Sequence, residues 1–224
     1  MAMPLILALV VAALLAALIL AVWAGLRGLR RSLTPARLTD APQRLPGDPV
    51  PQTVWLPAPH GSRLPPLSRP AGSPAHPAPA AVLMHGWGGN GATLWAAARA
   101  LHHAGFAVLL PDARNHGHSS ASDHSSLPRF AQDLDTALDW VRAQPGVDGQ
   151  RLCALGHSVG AAAVLLCASR RRDLAAVVSV SAFAHPEQVM RRWLATRHLP
   201  YWPLGWAINR WVEHVIGHRF NDIA

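Results

Sequence analysis

The amino-acid sequence predicts an α/β protein: a mostly parallel sheet with flanking helices and a helical cap, preceded by one transmembrane helix. Three observations carry this expectation. From residue 80 onward, short apolar runs alternate with segments of helical composition, the pattern of a parallel sheet covered on both faces. From Met1 to Leu26 there is no charged residue, a stretch long enough at about 1.5 Å per helical residue to cross a hydrocarbon core of about 30 Å. Short motifs rich in glycine and histidine fall directly after the apolar runs, where a strand gives way to a loop or helix.

Arg27, Arg30, Arg31, Arg37 and Arg44 all follow the first apolar run, whereas a cleavable signal peptide carries its positive charge ahead of a shorter apolar core. A single-pass anchor is the preferred reading, and the positive-inside rule places the rest of the chain in the cytoplasm with Trp23 near that interface. Residues 1–26 are assigned to the anchor, 27–50 to an Arg- and Pro-rich tether, and 51–224 to one α/β domain in which 185–218 form the cap. With 224 residues there is room for one such domain with a real core. The net charge of +8 comes from Arg alone, and no nucleic-acid motif accompanies it, so nucleic acid is not an expected partner. Cys153 and Cys167 lie in apolar stretches that read as core, which argues against a disulfide framework.

Residues 32–79 are proline-rich, which excludes long helices there; Thr53 to Leu56 with the His60-Gly61 turn is a candidate edge hairpin. The predicted strands are Ala81 to Met84, Ala107 to Leu110, Leu152 to Leu155 and Ala176 to Val180. Between them come helices at 92–103, 127–143 and 159–169. In the second, Leu127, Phe130, Leu134, Leu138 and Val141 recur at spacings of three and four. Ser126 is its expected N-cap, with Pro128 in the first turn. Right-handed crossovers make this the economical topology. After Ser181 the alternation stops. Pro186 to Gly217 is helical in character, with Ile208, Trp211, Val212, Val215 and Ile216 on one face opposite Arg210, Glu213 and His214. A cap over the site is preferred to a packing helix or a second membrane contact.

The chemistry centres on Gly156-His157-Ser158-Val159-Gly160, between a predicted strand and a predicted helix. A chain reversing so tightly holds its serine in a strained conformation, and only small residues two before and two after it avoid clashes. Ser158 then opens a helix, where unpaired amides and the helix dipole favour negative charge, and the Val159 amide is one oxyanion donor. His85-Gly86-Trp87-Gly88-Gly89 follows the first strand of the sheet, its glycines letting backbone approach a reacting carbonyl. Asp112-Ala113-Arg114-Asn115-His116-Gly117-His118-Ser119 follows the next. Asp112, His116, His118, Asp123 and His124 have metal-binding chemistry, but no pair at ligand spacing completes a set, so no metal is assigned.

These three motifs, in this order and spacing, resemble the α/β-hydrolase superfamily, in particular its esterase, lysophospholipase and serine-aminopeptidase-like branch, over about residues 50–224. The resemblance implies Ser158 as nucleophile and the amides of Trp87 and Val159 as oxyanion hole. His85, Gly86, Gly156, His157 and Gly160 become structural support, and no cofactor is implied. It also implies a triad in the order Ser, acid, His, with acid and base delivered by later strands. The sequence ends at Phe220 to Ala224, where that return would begin, so the last strands are expected to be missing and the chain to be C-terminally truncated. For an internal triad the available groups are Glu187 with His185, His198, His214 or His218, while Asp173 precedes its strand and lies at the wrong end of the sheet. The functional expectation is a membrane-anchored serine hydrolase cleaving a carboxylic ester, or less readily an amide, through an acyl-enzyme on Ser158. Its substrate would be a small-molecule ester with a hydrophobic acyl group. The alternative is a catalytically incomplete hydrolase-like binding protein.

Overall fold

With no proline between Pro4 and Pro35, nothing in the first apolar run stops a helix, and α1 extends from Ala2 to Ser32, past the predicted end at Leu26. Pro35 disfavours helical backbone at Thr34, and the helix closes with the Leu33 and Thr34 amides donating to the Arg30 and Arg31 carbonyls at 3.2 and 3.0 Å. The computed structural model describes residues 2–46, 48, 56–57, 63–64, 73 and 75–224. Residues 3–28 of α1 are exposed throughout.

Two short strands, β1 (Leu56–Pro57) and β2 (Arg63–Leu64), pair antiparallel. They fit the expected hairpin, although Thr53 to Trp55 and the His60-Gly61 turn lie outside the described residues.

The main sheet holds β3 (Ala78–Met84), β4 (Ala107–Leu109), β5 (Val147–His157) and β6 (Leu174–Val180) in the order β4-β3-β5-β6, every pair parallel. Each predicted strand is present; β3 and β5 begin earlier than their apolar runs. The connections are α2 (Trp95–His103), α3 (Leu127–Arg142) and α4 (Val159–Ala168). Alternation along β3 divides the core. Ala80, Val82 and Met84 pack with α3 and α4, whereas Ala81 and Leu83 pack with Trp95 and Ala98 of α2. A strand buried on both faces has no polar side to show, which is why its sequence is almost wholly apolar. On α3, Phe130, Leu134 and Leu138 are fully buried, each contributing about 1.5–3 kcal/mol.

Three expectations need correction. Ser126 sits at the N-cap of α3 with extended backbone but makes no capping bond; its Oγ is buried without a partner among the described residues. The helix expected from 92 starts at Trp95, behind a tight turn at Gly91–Leu94. A Cβ on Gly91 would lie 2.7 Å from the Leu110 carbonyl oxygen, so that turn is wedged against the end of β4. The last strand, read from its apolar run as part of a sheet covered on both faces, is exposed, with Val178 46% and Val180 44% accessible, as a sheet lacking its last strands would leave it. Among the described residues it has a hydrogen-bonded neighbour on one side only, β5.

Beyond β6 come α5 (Pro186–Ala195) and α6 (Trp206–Ile216), the latter closed by Gly217 in the left-handed conformation at φ 72°. Val212, Phe220 and Ile223 join the main core. Glu213, expected on the polar face of α6, is buried: it accepts the Phe220 amide at 2.8 Å and pairs with Arg210.

Candidate active site

Ser158 occupies the corner between β5 and α4 at φ 55° and ψ −117°, a conformation that L-residues hold only when the surroundings enforce it. The enforcement is visible on both sides. The Ser158 amide still donates to Val180 of β6 at 2.9 Å, while its carbonyl already accepts the Ala162 amide of α4 at 3.1 Å. A Cβ on Gly156 would sit 2.2 Å from the Gly160 carbonyl oxygen, and one on Gly160 would sit 2.1 Å from the carbonyl oxygen of Met84 on β3. Strand, helix and neighbouring strand therefore meet with no room for a side chain at either glycine. Ser158 stands at the N-terminus of α4, where unpaired amides and the helix dipole favour negative charge.

The second motif reaches the same point. A Cβ on Gly86 would lie 3.2 Å from the Ser158 Cβ and 3.4 Å from His157 Nδ1, so the backbone before Trp87 passes directly over the serine. His85 holds it there. Its Nε2 accepts the Ala113 amide at 3.0 Å, which leaves Nδ1 as the protonated nitrogen, donating to the Gly86 carbonyl at 2.7 Å. Fully buried, this ring has its pKa pushed down by burial to about 3, opposed by the bond to Gly86, and it is neutral at physiological pH. One imidazole thus ties the turn after β3 to the loop after β4.

That loop is an interlocked set of polar groups. Asp112 accepts the amides of Gly91 at 2.8 Å and His118 at 2.9 Å; burial raises its pKa, and these bonds oppose the rise. Gly117, at φ 47°, has no space for a Cβ, which would fall 2.0 Å from Asp112 Oδ2. Arg114 Nε lies 2.8 Å from Asp133 Oδ1 as a buried ion pair too oblique to be a hydrogen bond, and its amide donates to Asp133 Oδ2 at 2.8 Å. Burial pushes Asp133 up to about 6 against the pull of Arg114. His116, completely buried with its pKa lowered by burial, donates from Nδ1 to the Arg114 carbonyl and presents its ring edge-on to Trp87 at 5.9 Å. Of the groups singled out for metal chemistry by composition, Asp112 and His116 Nδ1 bond to backbone and His124 Nδ1 to Asp123, while the Nε2 atoms of His116 and His124 are buried with no hydrogen-bond partner among the described residues.

Ser158, Trp87 and Val159 line a cleft of about 600 Å3. The opposite wall comes from α5, α6 and the final turn, including Val189, Met190, Trp193, Ile216 and Phe220. Among the described lining residues there is no His, Asp or Glu, and Arg192 is the one ionisable side chain. The groups considered for an internal triad are engaged or placed elsewhere. His185 caps α5, its Nδ1 accepting the Glu187 amide at 3.1 Å while Nε2 donates to Asn221 Oδ1 at 3.0 Å. Glu187 takes the Tyr201 hydroxyl and the Arg191 guanidinium, which hold its pKa below the ordinary value. His214 and His218 line a separate polar hollow with Arg210 and Asp222, and His198 is exposed. Asp173 pairs with Arg142 and Arg171 at the start of β6.

Sequence reasoning did not anticipate that Leu29, Ser32 and Leu33, from the end of α1, also line the cleft. Nor did it single out Ser181, at φ 58°, beside Ala182 and Phe183 in the same wall.

The parallel sheet, its strand-to-helix serine corner and the glycine turn laid over it define an α/β-hydrolase. Residues 75–216 match the family described as "Serine aminopeptidase, S33", and the chain belongs to that family. It is similar to the sn-1-specific diacylglycerol lipase ABHD11 of Mus musculus, 35% identical over 97 residues that cover 43% of this chain and 30% of that protein. It is also similar to a 31.7 kDa protein from the traX-finO intergenic region of Escherichia coli, 31% identical over 117 residues covering 51% of this chain and 40% of that one. Among solved structures, the Pyrococcus furiosus esterase Pf2001 superposes with a TM-score of 0.60 at 19% identity, over 78% of this chain and 65% of that one. The chain spans 30–43% of the length of the curated relatives it matches.

Proposed function

We propose that this chain carries the nucleophile of a membrane-anchored serine hydrolase, Ser158 attacking the carbonyl carbon of a carboxylic ester. The single observation that carries the reading is the enforced corner at φ 55°, which presents Ser158 at a helix N-terminus beside Trp87 and Val159 in one cleft. In the proposed reaction Ser158 Oγ bonds to the acyl carbon while its proton passes to a base, which no His, Asp or Glu among the described lining residues supplies, and on to the alcohol oxygen as that oxygen's bond to the acyl carbon breaks. Water then attacks the acyl-enzyme, giving the carboxylic acid and returning a proton to Ser158 Oγ. The amides of Trp87 and Val159 serve as the oxyanion donors, with His85, Gly86, Gly156, His157 and Gly160 holding the backbone that presents them. An apolar opposite wall suits a hydrophobic acyl group, in keeping with the lipase and esterase names of the mouse relative and the Pyrococcus structure. The exposed apolar run of α1, followed by Arg27, Arg30 and Arg31, supports a single-pass anchor with the domain on the cytoplasmic side.

A second reading rests on one specific observation, the lack of His, Asp or Glu among the described lining residues. On that reading the chain by itself binds a ligand in the cleft without turning it over, because loss of the base removes several powers of ten in rate. Labelling the detergent-solubilised protein with a fluorophosphonate, beside Ser158→Ala, separates the two. Labelling abolished by the substitution supports the hydrolase; folded protein that resists the probe supports binding alone.

A further inference from the structure

The end of α1 is fastened to the loops that flank Ser158. Along α1 residues 3–28 are exposed, but Leu29 is half-buried, as is Leu33 just beyond the helix. The Ser125 amide donates to the Leu33 carbonyl at 2.7 Å. Asn90, itself 3% exposed, donates from Nδ2 to the carbonyls of Leu38 at 3.1 Å and Asp40 at 3.0 Å. Arg37 Nη1 donates to the Ser119 carbonyl at 2.5 Å. Asn90 belongs to the turn after the His85-Gly86 motif, and Ser119 and Ser125 to the loop that His85 holds. The segment from Leu29 to Asp40 is therefore a strap across the active-site loops, and its Leu29, Ser32 and Leu33 share the cleft with Ser158.

Distances along the helix place this wall relative to a bilayer. Leu29 and Leu33 follow the uncharged run by three and seven residues, or about 5 and 10 Å of helix rise. The headgroup layer on each side of the hydrocarbon core is roughly 5–8 Å thick. A helix whose apolar run ends at the edge of the core thus delivers Leu29 to the depth of the headgroups and Leu33 to their aqueous edge. We infer that the end of α1 is a wall of the acyl-binding cleft, that the cleft opens in the headgroup layer, and that the acyl chain of a membrane lipid enters past Leu29 and Leu33 directly from the leaflet. A water-soluble ester would have no need of this route. The inference rests on the reading of α1 as a membrane anchor and deepens that of the cleft as an acyl site.

The test uses the full chain in phosphatidylcholine nanodiscs containing phosphatidylcholine with a diazirine at the end of one acyl chain. After photolysis, adducts are mapped by peptide mass spectrometry. Adducts are expected on cleft residues such as Met190 and Trp193 as well as on residues 5–26. Leu33→Arg, which sets a charge at the entrance, is expected to lower the cleft adducts about tenfold while leaving those on 5–26 unchanged. Leu33→Met, which keeps size and polarity, is expected to retain them, guarding against a mere folding defect. Adducts confined to 5–26 in the unaltered protein, or cleft adducts indifferent to Leu33→Arg, would overturn the inference, as would absence of adducts on α1. Ser158→Ala is expected to keep the cleft adducts. Lipid binding and fluorophosphonate reactivity can therefore fail independently of each other.

Discussion

The wall of the cleft that carries Ser158 and the wall that faces it differ in how their atoms are held. On the Ser158 side, glycines abut backbone oxygens at distances no side chain can share, and His85, Asp112 and Asp133 each tie two segments together. On the facing side, α5 and α6 meet the cleft through Val189, Met190, Trp193 and Ile216, largely apolar groups of which the Trp193 indole N–H is the one strong hydrogen-bonding group. The contrast matches what the proposed function would ask of each wall. A reacting carbonyl needs donors fixed to a fraction of an ångström, whereas an acyl chain needs only volume and apolar surface. Function requiring strain is confined to the wall that can enforce it.

The severest test of this contrast is Gly160→Ala. Its Cβ would face the Met84 carbonyl oxygen at 2.1 Å and that of His85 at 2.4 Å, both backbone atoms at the end of a central strand. Neither can swing away as a side chain would. A loss of more than about 4 kcal/mol is expected, enough to deplete folded protein in a denaturation or proteolysis assay. A loss under about 1 kcal/mol would mean that the corner is not closely held.

Next in size is the buried pair beneath the loop. Arg114→Met strands the Asp133 carboxylate in the core and is expected to cost about 3 kcal/mol. Adding Asp133→Leu to Arg114→Met should recover most of that loss, because the isolated charge and not the missing attraction is the main penalty. If the double variant is as unstable as the single, the pair matters instead for the Arg114 amide, which donates to Asp133.

The rigid wall was largely legible in the sequence and the other much less so, for a physical reason. The small residues at 156 and 160 follow a short local spacing around Ser158 that can be read from the sequence, although the backbone that excludes a side chain at 160 belongs to Met84 and His85 at the end of β3. Burial of Glu213 depends instead on the Phe220 amide coming back to meet it, and the place of Leu29 and Leu33 depends on loops some 60 to 90 residues away. Ser126 shows the converse error: the right residue stands at the N-cap, but its buried hydroxyl makes no capping bond. His185, considered for a triad, stands instead at the start of the helical stretch expected from Pro186. Followed by Pro186 and Glu187, it marks a helix start, and its ring serves as the cap of α5.

A smaller effect sharpens the role of His85. Its pKa is about 3 in the folded protein against 6.5 in the open chain, so between these values the unfolded state binds more protons and stability rises with pH. Its contribution is complete above pH 6.5 and is lost as pH falls toward 3, with a slope of at most about 1.4 kcal/mol per pH unit. Asp133, raised to about 6, acts with opposite sign between 3.8 and 6, so the two partly offset in the unaltered protein. The comparison is therefore with His85→Gln. The stability advantage of the unaltered protein over this variant should shrink as pH falls from 7 to 5 in urea titrations. A constant difference would show that His85 is not held neutral.

The smallest expected effect belongs to the end of α6, the helix that carries part of the facing wall. Gly217, at φ 72°, ends α6, and a Cβ there would meet nothing within 4 Å. Gly217→Ala therefore carries only the backbone cost of the left-handed conformation, about 1 kcal/mol, and Gly217→Asn less, because Asn tolerates that region better. Both glycine-to-alanine changes add the same methyl group, and the expected difference of more than about 3 kcal/mol between positions 160 and 217 comes wholly from what surrounds it. If Gly217→Ala proved as damaging as Gly160→Ala, the facing wall would be as tightly determined as the one that holds Ser158. Its apolar lining would then have to be understood as a fixed mould for one ligand shape, not as an accommodating surface.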